Sequence, residues 1–258
     1  MPKPISRRDL LQVTASGALL AGCAPGGRSS TAGTPTTGGT GTAAATGPAP
    51  APGHGAGRAL PDQVEHGPRD RPMVALTFHG QGEPALATAL LTEAEKAGAR
   101  LTVLAVGSWL DAYPQLARRV LDGGHELGNH TQNHGDIGAM DAAQATAEIT
   151  GCAERLRKLT GSQGRWFRPS QGRLTTPLVV RLAQQAGYPH LLSYDVDPVD
   201  YTDPGPDRVR AAVAAQARNG SVVSLHFGHS GTVSALPGIL DDLHRRGLRA
   251  VTTTELLS

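Results

Sequence analysis

Hydrophobic runs alternate with amphipathic stretches from about residue 69 to the end of the chain. Short apolar runs such as 73–78 and 221–227 end in polar residues, which is typical of buried strands. The stretches between such runs show helical periodicity and begin or end at capping residues, glycine or proline. The predicted strands are 73–78, 101–106, 125–129, 165–169, 191–196, 221–227 and 249–253, and the predicted helices are 84–97, 114–122, 141–159, 176–186, 207–218 and 234–246.

Apolar strands that alternate with amphipathic helices predict an α/β fold in which helices cover a parallel sheet. Closure of the sheet gives a distorted parallel (β/α) barrel of about seven strands, and an open doubly wound sheet is the alternative. No glycine-rich phosphate-binding pattern follows the first strand, which argues against nucleotide binding. Several polar residues come at or near the carboxyl ends of predicted strands, where such barrels carry their chemistry. They are His79, His130, Arg168, Asp197 and His226.

The first residues of the chain have the pattern of an export signal. Ser6-Arg7-Arg8-Asp9-Leu10-Leu11 fits the twin-arginine pattern, and the weakly apolar run 13–21 that follows is too short to span a membrane. Leu20-Ala21-Gly22-Cys23 resembles a bacterial lipobox. We therefore predict a twin-arginine lipoprotein signal peptide at 1–22, lipidation of Cys23, and an anchor on the outer face of the bacterial cell membrane.

The next segment, 23–68, consists mostly of Gly, Pro, Ala, Thr and Ser and contains no aromatic residue. Such a composition cannot bury enough apolar surface to offset the entropy of ordering, so we predict a disordered tether. The folded domain is then 69–258, roughly 190 residues, which is enough for one domain with a sizeable core. With Cys23 lipidated, Cys152 has no cysteine partner, and we expect it to be buried on a helix.

Net charge argues against nucleic-acid binding. The whole chain carries a formal charge of +2, and the signal peptide alone, with Lys3, Arg7 and Arg8 against Asp9, accounts for it. The mature protein is therefore near neutral, without the excess of basic residues that nucleic-acid binding requires. We expect a monomer.

Two histidines, His130 and His134, lie close together between Gly128 and Gly135. Neutral imidazole is the commonest protein ligand for zinc-like metals, and two ligands close in sequence make a site easier to build. The flanking glycines favour a strand end that runs into a loop. A pair of solvent-facing polar side chains is the alternative, and this segment alone does not decide between the two.

Five segments, in this order, resemble the motifs of the polysaccharide deacetylase family with the NodB homology domain, also known as carbohydrate esterase family four. The resemblance covers 73–253 and implies a NodB-like barrel and a metal-dependent hydrolase that acts on carbon–nitrogen bonds other than peptide bonds. The segments are Thr77-Phe78-His79-Gly80-Gln81, 124–134, Phe167-Arg168-Pro169-Ser170-Gln171-Gly172, Asp197-Pro198-Val199-Asp200-Tyr201 and Val223-Ser224-Leu225-His226.

The first of these segments departs from the family, which usually has Thr-Phe-Asp-Asp-Gly there. In the family the first aspartate is the general base and the second is a metal ligand, whereas this chain has His79 and Gly80. His130 and His134 then need a third ligand, for which His79, Asp136 and Glu83 are candidates and His79 is preferred. His79 is alternatively the general base, and the sequence does not decide between these roles. Zinc is the preferred metal.

The resemblance also implies roles for residues in the later segments. Arg168 would lie against the base, His226 would be the general acid that protonates the leaving amine, and Asp197 would orient His226. The backbone N–H of Gln171 would help to bind the oxyanion. Tyr201 and Trp166 are candidates to stack on a sugar ring, although core packing is an equal alternative for Trp166.

Three readings of function follow from the sequence. The first is a deacetylase that acts on N-acetylated cell-envelope glycans, either peptidoglycan or chitin-like oligosaccharides. The second is a degenerate family member that binds glycan or metal without turnover, which the missing first-motif carboxylates favour. The third is a small-molecule amide hydrolase on the same barrel, with a pocket lined by Gln81, Gln171 and Tyr201.

Overall fold

The structure, a computed structural model, describes residues 59–258. The predicted signal peptide, the lipidation site at Cys23 and most of the predicted tether lie outside the described residues. The described strands are β1 (Gln63–Val64), β2 (Met73–Gly80), β3 (Thr102–Ala105), β4 (Glu126–Asn129), β5 (Leu191–Leu192), β6 (Val222–His226) and β7 (Arg249–Val251). The described helices are α1 (Pro84–Lys96), α2 (Gly107–Ala112), α3 (Gln115–Asp122), α4 (Ala142–Thr160), α5 (Pro177–Gln185), α6 (Pro206–Gln216), α7 (Ser230–Arg245) and α8 (Thr253–Leu257).

All the paired strands run parallel, in the order β4-β3-β2-β6, with β7 on the first half of β2 and β1 on β5. Isolated bridges link these ladders, because Phe167 pairs with both Asn129 and Leu191, and Val196 pairs with Val223. The regular ladders alone do not close a barrel, and the isolated bridges connect the rest of the ring of parallel strands. The prediction of a parallel, distorted α/β barrel is therefore confirmed. Long apolar strands such as β2 are buried because helices cover them.

Two predicted strands are shorter than the sequence indicated. The segment 165–169 contributes only the bridge at Phe167, and 191–196 contributes β5 and the bridge at Val196. Pro169 lacks the N–H that a longer ladder would need, and the Arg168 side chain takes the carbonyls of Leu192 and Ser193. The short helices α2 and α8 were not predicted from the sequence, and α7 begins at Ser230, before its predicted start at residue 234.

Residues before the predicted domain boundary at Arg69 already belong to the fold. Val64 is fully buried in β1, and the Gly67 N–H donates to the Gly220 carbonyl at 2.7 Å. Leu191 N–H in turn donates to the Asp62 carbonyl at 2.8 Å. Composition did not indicate β1, because this stretch has few apolar residues and the strand is held by backbone hydrogen bonds.

Two predictions about the long helix α4 are confirmed. Asp141 caps it in a capping box with Gln144, as its position before the helix indicated. Cys152 lies on its buried face, where burial raises the pKa of the thiol to about 12. Within residues 59–258, no helix combines the length and apolar character that a membrane crossing requires.

Candidate functional site

Three histidines converge at the carboxyl ends of β2 and β4. His79 is the second-last residue of β2, His130 directly follows β4, and His134 lies in the loop beyond. One ring nitrogen from each lies within 4.8 Å of those of the other two. His79 Nδ1 is 2.7 Å from His130 Nε2, and His134 Nε2 is 3.1 Å from the same atom. The predicted cluster is therefore present in the structure, with His130 at its centre.

A tight turn returns His134 towards His130. Thr131 and His134 both adopt left-handed backbone conformations, with φ of 68° and 60°. The Thr131 hydroxyl accepts a hydrogen bond from the His134 N–H at 3.2 Å, and the Asn129 side chain accepts one from the Thr131 N–H at 2.9 Å. These bonds hold a strained loop in one conformation, as is common where a site requires exact side-chain placement.

Hydrogen bonds on the far side of two rings set their orientation. His130 Nδ1 lies 3.0 Å from the Arg168 carbonyl, which can only accept, so Nδ1 carries the proton and Nε2 presents a lone pair to the cluster. His79 Nε2 lies 3.0 Å from Ser224 Oγ and 3.4 Å from Arg168 Nη1. Both rings are thus held from behind while their other nitrogens face the cluster.

Burial keeps these imidazoles neutral. Desolvation, followed by the charges of neighbouring histidines and Arg168, holds the pKa of His79 and of His130 well below the ordinary value of 6.5. The pKa of His134 is also lowered, mainly by burial. A neutral imidazole is the form that binds metal ions. At neutral pH the three rings are therefore uncharged, as metal binding requires.

Acidification should destabilise the fold through these lowered pKa values. In chelator-treated protein, the unfolded chain binds protons at pH values where the native histidines remain neutral, so stability falls as the pH drops below 6.5. Each such histidine contributes up to about 1.4 kcal/mol per pH unit. Urea unfolding between about pH 7.5 and about pH 5.5 measures this slope. A shallower slope in His130→Ala is expected, and a stability that is flat or rises on acidification would contradict the assignment.

The residues present fit a divalent cation held by imidazole. Three neutral ring nitrogens at this spacing match the ligand number of a catalytic zinc-like site. The other candidates for a third ligand, Asp136 and Glu83, do not belong to the group of ligand atoms that meet within 4.8 Å in residues 59–258. At Gly80 a Cβ atom would lie 2.9 Å from Val103 Cγ1 and 3.0 Å from Ala105 Cα. His79 is therefore the donor that completes the set.

Arg168 lies beside His79, as the sequence implied, but no carboxylate among residues 59–258 forms an ion pair with it. It is fully buried, and its guanidinium donates to Thr77 Oγ1 at 2.8 Å and to the carbonyls of Leu192 and Ser193. Burial lowers its pKa to about 10, and the charges of Tyr194 and Asp197 oppose that shift. At neutral pH Arg168 is thus a fixed positive charge at the back of the cluster.

The predicted partner of His226 was wrong. Asp200, not Asp197, contacts the ring, with Oδ1 at 2.7 Å from His226 Nδ1 and Oδ2 accepting from the His226 N–H at 2.8 Å. Thr232 Oγ1 also donates to Asp200 Oδ2, at 2.6 Å. Asp197 instead accepts from the Val199 N–H in its own turn. Asp200 lies in the same sequence segment as Asp197, so the segment contained two aspartates that could be the partner of His226.

The His226 ring adjoins the metal-binding cluster. Its centroid is 4.2 Å from that of His79 with the planes 21° apart, because the two residues pair across the β2–β6 ladder. Asp200 is only 1% exposed and accepts from Nδ1, so the proton lies on Nδ1 and Nε2 is the atom available for proton transfer. No hydrogen-bond partner of that Nε2 occurs within residues 59–258.

The histidines open into a cleft of about 510 Å³. Tyr201 and Gln171 line it, as predicted for substrate contacts, and Gln171 has a left-handed backbone with φ of 62°. The prediction that Trp166 lines the site was wrong, because its ring is 1% exposed and its Nε1 donates to Thr254 Oγ1 in α8. The remaining lining residues are His79, Gln81, Gly82, His134, Gly172, Arg173, Tyr194, Asp197, Ser224, His226, Gly228 and His229.

The fold and the histidine cluster together indicate the family to which the chain belongs. A family model described as polysaccharide deacetylase matches residues 66–191. The chain is 32% identical over 194 residues to a peptidoglycan-N-acetylglucosamine deacetylase of Bacillus cereus, an alignment that covers 74% of this chain and 90% of that protein. The chain therefore belongs to the polysaccharide deacetylase family.

Other relatives extend the comparison. A chitooligosaccharide deacetylase of Sinorhizobium fredii is 29% identical over 198 residues, which cover 68% of this chain and 87% of that protein. A carbohydrate esterase family four pseudoenzyme from Bacillus anthracis superposes with a TM-score of 0.73 at 24% identity, covering 78% of this chain and 70% of that one. The last similarity concerns the fold alone.

Proposed function

We propose that this protein is a metal-dependent hydrolase that removes acetyl groups from N-acetylated cell-envelope glycans, with peptidoglycan as the first candidate. The observation that carries the proposal is the juxtaposition of three neutral imidazoles with the His226–Asp200 pair at the mouth of one cleft. Amide hydrolysis needs an activated water, a polarised carbonyl and a proton for the departing amine. The two groups of residues supply complementary parts of that requirement.

His79, His130 and His134 are proposed to hold the cation, with zinc as the metal. A zinc ion bound there would activate a water molecule and polarise the amide carbonyl. The contacts of His79 favour a ligand role over a general-base role. Its Nδ1 faces the other imidazoles and its Nε2 faces Ser224 and Arg168, so neither nitrogen is free to take a proton from the cleft.

His226 is proposed to handle the proton transfers. Asp200 holds the Nδ1 proton and supports a positive charge on the ring, which leaves Nε2 to exchange a proton with the substrate side of the cleft. Because positions 79 and 80 lack a carboxylate, we assign to the same Nε2 both the uptake of the water proton and its delivery to the amine. The proton count balances, since one proton enters and one leaves the ring.

Substrate contacts are proposed for Gln171 and Tyr201. The Gln171 side chain donates to the His134 carbonyl at 3.1 Å, which leaves its backbone N–H as a candidate donor for the oxyanion. Tyr201 is half exposed and its ring lies 5.2 Å from that of His226, a position suited to a sugar face. The predicted export route, the lipid anchor at Cys23 and a monomeric state complete the proposal and would present the cleft to peptidoglycan.

A second candidate is a family member that binds glycan without turnover. The replacement of both first-motif aspartates, by His79 and Gly80, favours it, because one imidazole must then do the work of two acid–base groups.

The experiment that separates the two is acetate release from N-acetylglucosamine oligomers and from peptidoglycan by the zinc-loaded protein. The proposal expects turnover that a chelator abolishes and added zinc restores. Bound zinc and bound glycan without acetate would establish the second candidate.

A further inference from the structure

Ser224 is a buried serine on β6, immediately behind the histidine cluster. It is 1% exposed, and the β2–β6 ladder pairs it with Thr77, two residues before His79. Its Oγ lies 3.0 Å from His79 Nε2. A hydroxyl at this place can either donate or accept a hydrogen bond.

The tautomer of His79 decides whether this ring can bind a cation through Nδ1. A neutral imidazole carries a single proton, so a lone pair on Nδ1 requires the proton to lie on Nε2. The resulting Nε2–H needs an acceptor. Arg168, whose Nη1 lies 3.4 Å from that nitrogen, has donors only and cannot serve. Ser224 Oγ is the contacting atom that can.

We propose that Ser224 is a positioning residue that selects the metal-binding tautomer of His79 by accepting a hydrogen bond from its Nε2–H. The inference rests on the three-histidine metal site proposed above. Metal-bound histidines generally donate their second ring N–H to a partner, and the Arg168 carbonyl serves His130 in this way. Without the hydroxyl, the hydrogen-bonding contact that remains for Nε2 among residues 59–258 is the Arg168 guanidinium. Its donors favour the opposite tautomer, with the proton on Nδ1.

The test measures zinc affinity of the full chain by competition with a chromophoric chelator, together with the visible absorption of the cobalt-substituted protein. In Ser224→Ala the zinc affinity should fall about 10- to 100-fold, as is typical when an outer-shell partner is removed. The cobalt spectrum should change because one imidazole is lost or reoriented. Ser224→Thr, which keeps an acceptor oxygen, should stay close to wild type in both readouts.

Ser193→Ala is the matched control, since Ser193 is equally buried but its hydroxyl donates to the Arg173 carbonyl and makes no hydrogen bond to a histidine in the described part of the chain. Its zinc affinity should equal that of wild type, with thermal unfolding confirming that each variant is folded. If wild type binds zinc and Ser224→Ala binds it equally well, or if Ser224→Thr loses as much as Ser224→Ala, the tautomer assignment is overturned and the metal site stands. A wild-type chain that binds no zinc overturns both.

Discussion

His134→Ala should abolish zinc binding and, with it, acetate release. His134 supplies one of only three nitrogens in the cluster, and its Nε2 lies 3.1 Å from His130 Nε2. Removing a direct ligand should cost more affinity than the roughly 10- to 100-fold typical of outer-shell partners. The ring is half-buried in a loop, so its loss leaves no large core cavity, and the variant should fold. Metal content by atomic spectroscopy and acetate release on the same preparation measure the effect.

The control for this variant is His244→Ala. His244 is an exposed histidine in α7, so its removal should change neither metal content nor turnover. Two results would count against the assignment. One is a His134→Ala protein that retains a full equivalent of zinc with wild-type affinity, and the other is equal metal loss in both variants.

His226→Ala should separate proton transfer from metal binding. Turnover should fall by about 10²–10⁴-fold, the range expected when acid–base assistance is lost. Zinc content should remain at one equivalent, because His226 contacts the cluster through ring stacking with His79 and not through a ligand nitrogen.

His190→Ala is the matched control for this experiment, because His190 is half-buried like His226 but lies between α5 and β5, outside the residues that line the cleft. It should keep the wild-type rate. Loss of zinc from His226→Ala would place this ring among the metal ligands. An undiminished rate would remove it from the chemistry and leave the uptake and delivery of the proton without an assigned group.

Periodicity was sufficient to predict the strand ends, and the strand ends predicted the cluster. His79 and His226 were expected at the same end of the sheet, and they pair directly across the β2–β6 ladder. His130 was expected at that end for the same reason, and the strand that it follows, β4, pairs with β3 in the sheet. The ends of such strands can be predicted from the sequence, because parallel strands that are buried on both faces consist of nearly continuous apolar runs.

Residues whose placement depends on local turns could not be predicted in this way. Asp200, not Asp197, holds His226 because Val199 and Asp203 on either side of a short 3₁₀ turn adopt left-handed conformations, with φ of 50° and 52°. Such conformations are rare for residues other than glycine, and composition gives no sign of them. Trp166 was misplaced for a related reason, since its partner Thr254 lies in α8, a helix that the sequence reading missed.

The absence of a side chain at Gly80 has a consequence for redesign. Any substituent there would be pressed against the backbone of β3, whose Ala105 Cα and Leu104 carbonyl lie 3.0 and 3.3 Å from the position of a first carbon. Reinstating an acidic ligand at Gly80 would therefore require the Val103 side chain and the adjoining backbone of β3 to shift by a few tenths of an ångström.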